Sequence, residues 1–153
     1  MKLKPKVVVG GELTFANYQE FPRPSFTDKL RFPDNITDLD SGGVSELLGK
    51  YTQLYAFANA EVCKANMALL RLDTRESLRR ATLLRQQPSL NAQERWRRDT
   101  VLDCDADISA LNAERLQHRL AKELAETARG NFEKYIAALS RELSRKGYEH
   151  KAI

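Results

Sequence analysis

From Gly43 onward, apolar residues recur at helical spacing. Leu47, Tyr51, Leu54, Ala58, Val62, Ala65, Leu69 and Leu72 follow one another by steps of three and four, a pattern that keeps one face apolar for about seven turns. Leu39 before Asp40, with Val44 five positions after the leucine, has the staple-and-cap arrangement that opens a helix. Pro88 stops it, since proline has no amide proton to donate and clashes with the preceding turn. A second start follows at once. Asn91 with Glu94 three residues on reads as a cap with a reciprocal carboxylate, placing a new helix near Ala92. Its stripe reads Leu116, Leu120, Leu124, Ala128, Phe132, Tyr135, Leu139 and Leu143, with Gly130 inside it as a candidate bend. Gly147, after Arg145 and Lys146, reads as the stop. The pattern predicts an all-α fold: a long antiparallel helical hairpin over residues 41–153, with helices at about 43–87 and 92–146.

The first 40 residues differ in kind. They hold Pro5, Pro22, Pro24 and Pro33, which forbid a long helix, together with Phe15, Phe21, Phe26 and Phe32. Leu3 to Val9 and Glu12 to Tyr18 fit short strands, with nothing else in the sequence to give them a sheet. The segment reads as an extended arm whose aromatics dock on this subunit or a neighbour. Two helices joined once make a seam rather than a closed core, and Leu48, Tyr55, Phe57, Leu70 and Ile136 lie off the main stripe. Such surplus apolar surface predicts a homo-oligomer, a ring or bundle, with Tyr55, Phe57, Phe132 and Ile136 at the interface.

Charge sharpens this reading. Arg71, Arg75, Arg79, Arg80, Arg85, Arg95, Arg97 and Arg98 stand against Asp73, Glu76 and Glu94, so residues 71–98 carry eight cations and three acids, a net +5. The whole chain is only +4. The positive charge therefore gathers around the turn Gln87-Pro88-Ser89-Leu90, with Trp96 among the arginines. A basic, aromatic-bearing tip suits a polyanion, and these nine residues are the candidate nucleic-acid contacts. Two alternatives compete. The arginines can be a solvated helix face, and Trp96 can stack on an unpaired base or pack under the turn. Beyond the tip, Asp99, Asp103, Asp105, Asp107 and Glu114 form an acidic belt with no cation among them, while Arg141, Arg145, Lys146 and Lys151 mark the far end.

Other chemistry finds little footing. No run approaches the ~20 apolar residues of a membrane span. The basic start is followed by only three apolar residues, Val7 to Val9, before Gly10-Gly11. A cytoplasmic protein without a membrane partner is expected. Cys63 and Cys104 fall inside helical patterns with no Cys-x-x-Cys partner, and read as small core residues. Asp103, Asp105, Asp107 and Glu114 have the spacing of a calcium loop, but Ile108 stands where that loop needs glycine. His118 and His150 lack triad-like or metal-like neighbours, and Gly10-Gly11 and Gly42-Gly43 lack a phosphate-loop lysine. No enzymatic role, metal or cofactor is expected.

Ser77-Leu78-Arg79-Arg80-Ala81-Thr82-Leu83-Leu84, Thr100-Val101-Leu102 with Asp105 and Asp107, and the ending Ser140-Arg141-Glu142-Leu143-Ser144-Arg145-Lys146-Gly147 together resemble the UvsY-type recombination mediators of T-even phages. The likeness covers about residues 47–148. It implies a small helical protein that forms rings, here of six to eight chains, and binds single-stranded DNA through Arg79 and Arg80. It also implies that the protein helps load a RecA-type recombinase onto strands covered by single-strand binding protein, in the cytoplasm of a host cell if phage-encoded. Leu83 and Leu84 stand where that family has paired aromatics, and the proline-rich arm has no counterpart there. The competing expectation is a structural or scaffolding coiled-coil protein of a phage assembly, in which the arginines pair with neighbouring acidic belts.

Overall fold

A computed structural model describes residues 5–7, 13–15 and 22–151. Pro5–Val7 (β1) and Leu13–Phe15 (β2) pair as a short antiparallel ribbon, with Lys6 opposite Thr14. The two candidate strands thus supply each other's partner. The remaining elements are helical: α1 from Ser41–Gln86, α2 from Arg95–Asp103 and α3 from Ala106–Lys151. Phe21 and His150 fall outside the residues whose side chains are described, as does the Phe15 ring.

The capping chemistry read from Leu39, Asp40 and Val44 forms. The Asp40 carboxylate accepts the Gly43 amide at 2.6 Å, and Val44 is fully buried beside Leu39. From there α1 runs 46 residues, about 69 Å at the helical rise. The second long helix is not continuous from Ala92. Pro88–Ala92 instead form a 3₁₀ turn, and the chain breaks again between Asp103 and Ala106. Glu94 makes no capping bond because its carboxylate accepts the Trp96 indole N–H at 2.6 Å. Nor does Gly147 stop the chain. α3 continues to Lys151, and Arg145 bonds Glu149 across the glycine. A mid-helix glycine costs only about 1 kcal/mol relative to alanine, too little to end a long helix.

α1 and α3 pack antiparallel along their length. Arg129 donates to Asn59 at 3.0 Å midway, and Arg75 meets Glu114 at 3.5 Å nearer the turn. At the end away from the turn, Val44, Tyr51, Leu54 and Leu139 form the main core. Phe26, Leu30, Phe32 and Ile36 of the preceding segment close over it, as do Phe132 and Ile136. Phe32 stacks on Tyr135 with ring centroids 4.4 Å apart, and Tyr51 meets Tyr135 edge-on at 5.2 Å. The aromatics of residues 26–39 therefore dock on their own chain. Phe132 and Ile136, expected at an oligomer interface, pack against this cluster and stay partly exposed, while Tyr55 and Phe57 are half-buried outside it.

One part of the sequence pattern misled. Leu116, Leu120 and Leu124 are 60%, 58% and 73% exposed. The face of α3 turned to α1 carries Ile108, Leu111 and Arg115 instead. The reason is geometric. Each four-residue step overshoots a 3.6-residue turn by about 40°, so the run from Leu116 to Phe132 spirals from the outer face to the inner one. On α1, Met67, Leu70 and Leu78 likewise point outward. Cys63 and Cys104, read as core residues, are both exposed.

Glu142 is the buried acid of the far end. Arg145 donates to it at 2.6 and 2.9 Å, and Lys146 lies 3.2 Å away while donating to the Thr37 carbonyl at 3.0 Å. These hydrogen bonds, that of Arg145 foremost, hold the Glu142 carboxyl down to about 2 from 4.5. A depressed carboxyl stabilises the fold fully above its unfolded value and loses that contribution as pH falls through the folded one.

Two expectations follow. Phe32→Ala removes a ring that joins the segment to both helices, and should cost about 2–3 kcal/mol in urea unfolding. Glu142→Gln should flatten the fall in thermal midpoint between about pH 5 and pH 2 relative to the parent chain. Parallel melting curves for the two chains across that window would rule the effect out.

Candidate nucleic-acid interface

The turn end of the molecule is built on a small second core. Leu90, from the 3₁₀ turn, is buried with Leu102 of α2 and Ile108 of α3, and Leu83 and Leu84 of α1 pack against them. Leu83 and Leu84 thus face inward, which accounts locally for leucine at those positions. Burying Leu90 folds the linker down and sets α2 across the tip, with Arg95, Trp96, Arg97 and Arg98 on its first turn.

Beneath this tip lies an ion network. Arg79 grips Asp105 with two hydrogen bonds, Nε to Oδ1 at 3.0 Å and Nη2 to Oδ2 at 2.7 Å, and reaches Asp107 at 3.1 Å. Arg80 bonds Glu76 at 2.7 Å and also bonds Asp103. Glu76 in turn accepts from Arg115, whose guanidinium also meets Asp73 at 3.0 Å. The Glu76 and Arg115 side chains are 17% and 13% exposed, so the network is partly sheltered and its bonds exceed the strength of surface pairs. Hydrogen bonds from Arg115 and Arg80 hold the Glu76 carboxyl below its ordinary range, and that of Arg79 does the same for Asp105.

The network explains the break between α2 and α3. The Asp105 Oδ1 atom accepts the amides of Asp107 and Ile108 at 3.1 and 3.2 Å, so it caps α3 while Arg79 holds it from across the seam. No proline or glycine marks the spot. The signal available in sequence was Asp105 placed before the buried Ile108, and a continuous helical pattern concealed it. The calcium-like spacing is thereby used otherwise, since Asp103, Asp105, Asp107 and Glu114 each face an arginine of α1. Among the described residues no group of His, Cys, Asp and Glu converges as a metal site. His118 lies 3.8 Å from Glu114 on the same helix.

The acidic belt therefore divides the nine predicted contact residues. Arg75, Arg79 and Arg80 face Glu114, Asp105 and Asp103 in turn, and Arg95 approaches Asp99 at 3.7 Å. The +5 counted over residues 71–98 stops just short of these neutralising acids. Among the described residues, Arg71, Arg85, Arg97 and Arg98 have no acidic partner. Arg85 donates to its own helix at the Ala81 carbonyl, 3.4 Å away, and the Arg97 guanidinium sits 5.0 Å from the Trp96 ring centre. Arg71 stands lower on α1, whereas Arg85, Arg97 and Arg98 share the tip. Trp96 itself is 61% exposed and does not pack under the turn. The tip thus presents one indole and three guanidinium groups whose charge no carboxylate among the described residues cancels.

Comparison with protein-family models, with curated proteins and with solved structures finds no match to this chain. Among the described residues, no helix is long and apolar enough to cross a membrane.

Removing the shared acid tests the network. Glu76→Ala leaves Arg80 and Arg115 facing each other without their bridging carboxylate. Stability should fall by about 2 kcal/mol in urea, a figure reduced from that of a fully buried pair for partial solvent access. An unchanged midpoint would mean that the network is solvated in solution.

Proposed function

We propose that the chain is a homo-oligomeric single-stranded nucleic-acid-binding protein whose contact surface is the tip formed by Arg85, Arg97, Arg98 and Trp96. The observation that carries this reading is the pairing pattern: four of the candidate arginines are matched to acids, and the unmatched ones at the tip lie beside an exposed indole. Unpaired guanidiniums take phosphates and release counterions, while an exposed indole offers a stacking face to any base. Each tip is a small surface, so several tips on one assembly are needed for tight binding; linked sites raise the local concentration of the next contact. In this reading the helical hairpin and its N-terminal arm assemble into a ring or bundle, of six to eight chains if the likeness to UvsY-type mediators holds. The role is then recombination mediation: presenting a DNA strand, freed from single-strand binding protein, to a RecA-type recombinase. Arg79 and Arg80 support the tip from below rather than contacting the strand.

A scaffolding role without nucleic acid is the second reading. What favours it is the outward apolar surface of Met67, Leu70, Leu116, Leu120 and Leu124, which suits protein contacts.

Fluorescence anisotropy with labelled oligo-dT at several salt concentrations separates the two. Replacing Arg85, Arg97 and Arg98 together with glutamate should abolish binding while leaving helicity intact, because among the described residues none of them pairs with an acid. Trp96→Ala should weaken binding by about 1–3 kcal/mol. For the parent chain, affinity should fall with salt at a log–log slope of about −0.7 per phosphate neutralised. A triple variant that binds like the parent would move the contact elsewhere, and no binding by the parent at low salt would favour the scaffold.

A further inference from the structure

Leu116, Leu120 and Leu124 form a single ridge on the side of α3 away from α1, and they are among the most exposed large apolar residues of the chain. Arg119 and Glu123 flank that ridge on one side. Both are exposed, and among the described residues neither has a hydrogen-bond or ion-pair partner. Ridge and flank together have a property that neither has alone: they are complementary to themselves.

We infer that a second copy of this chain seats on the Leu116–Leu120–Leu124 ridge, antiparallel, about a two-fold axis passing beside Leu120. This rests on the self-association reading above and specifies its surface. In that arrangement Leu120 meets its own counterpart, and Leu116 meets Leu124 of the second copy. Arg119 lies one residue before the axis and Glu123 three after it. Reversing the direction brings Arg119 of one copy within two residues of Glu123 of the other, about 3 Å along the helix. The two Arg119 residues are offset equally, but each lies about 100° round the helix from Leu120 against about 60° for Glu123, so the unlike pair is the nearer. In an antiparallel pair the same flank faces itself, so the contact forms twice. Two charges that make no direct contact among the described residues each gain an opposite partner, and six exposed leucines leave water together.

The other outward stripe does not share this property. Met67, Leu70 and Leu78 on α1 are flanked by Arg71, which has no acidic partner among the described residues, and by Arg75. Pairing that face with itself would bring like charges together. The α3 contact also has a geometric consequence. Antiparallel copies point their basic tips to opposite ends of a rod, roughly 40 Å or more apart, so that one strand can reach both.

Sedimentation equilibrium on the full chain tests the inference. The parent should run at a multiple of its 17.4 kDa chain mass. Leu120→Glu should drop that mass by half or more without loss of helicity. Arg119→Glu places two acids opposite each other and should raise the dissociation constant about tenfold, and adding Glu123→Arg to it should restore the parent value. In a chain with Cys63→Ser and Cys104→Ser, Leu120→Cys should cross-link to itself under mild oxidation, whereas Ser109→Cys should not. If the parent associates but Leu120→Glu and Arg119→Glu leave its mass unchanged, the surface assignment is overturned while self-association stands. A parent that sediments as a single chain overturns both. Failure of oligo-dT binding alone, with these masses as expected, counts against the nucleic-acid reading and leaves this one intact.

Discussion

Register between the two long helices depends on Glu76. Its carboxylate accepts from Arg80 on its own helix and from Arg115 on α3, and Arg115 also reaches Asp73. A hydrophobic seam alone tolerates sliding, since one leucine fits a gap much as another does. A branched set of charge-assisted bonds does not, because a shift of one turn would leave partly sheltered charges unpaired. With the network in place, Arg79 meets Asp105, the cap of α3 is set, and Leu90, Leu102 and Ile108 close the tip.

The same constraint sorts the arginines. Arg75, Arg79 and Arg80 on the inner side of the tip hold helix to helix, while Arg97 and Arg98 of α2 and Arg85 in the last turn of α1 remain available. A local charge count treats all eight alike. Geometry makes Arg75, Arg79 and Arg80 structural, sets Arg95 against Asp99 of its own helix, and leaves the rest to carry the electrostatic surface.

Much of the architecture was legible in the chain. The Leu39–Asp40–Val44 start, the stop at Pro88 and the seven-turn stripe of α1 needed only periodicity and capping rules, and all three are seen. What escaped has identifiable causes. A run of four-residue steps reads as one stripe on paper but rotates on a 3.6-residue helix, so Leu116 to Leu124 were assigned to the seam although they face outward. The break before Ala106 carries no proline or glycine, because Asp105 is held by Arg79 from 26 positions away, a long-range contact with no local signature. The exposure of Trp96 and the docking of Phe32 on Tyr135 depend on where α2 and residues 26–39 come to rest. Both follow from tertiary packing rather than from sequence pattern.

Pairing divides the arginines into a structural set and an unpaired set, to which we assign the strand. Hydrogen–deuterium exchange on the intact chain, with and without oligo-dT at low salt, tests it most directly. Amides of residues 85–98 should gain protection when the strand binds, while those of 73–80 and 105–115, already held by the network, should exchange as before. Protection gained across 73–80 with none at the tip would contradict the division and return the contact to Arg79 and Arg80.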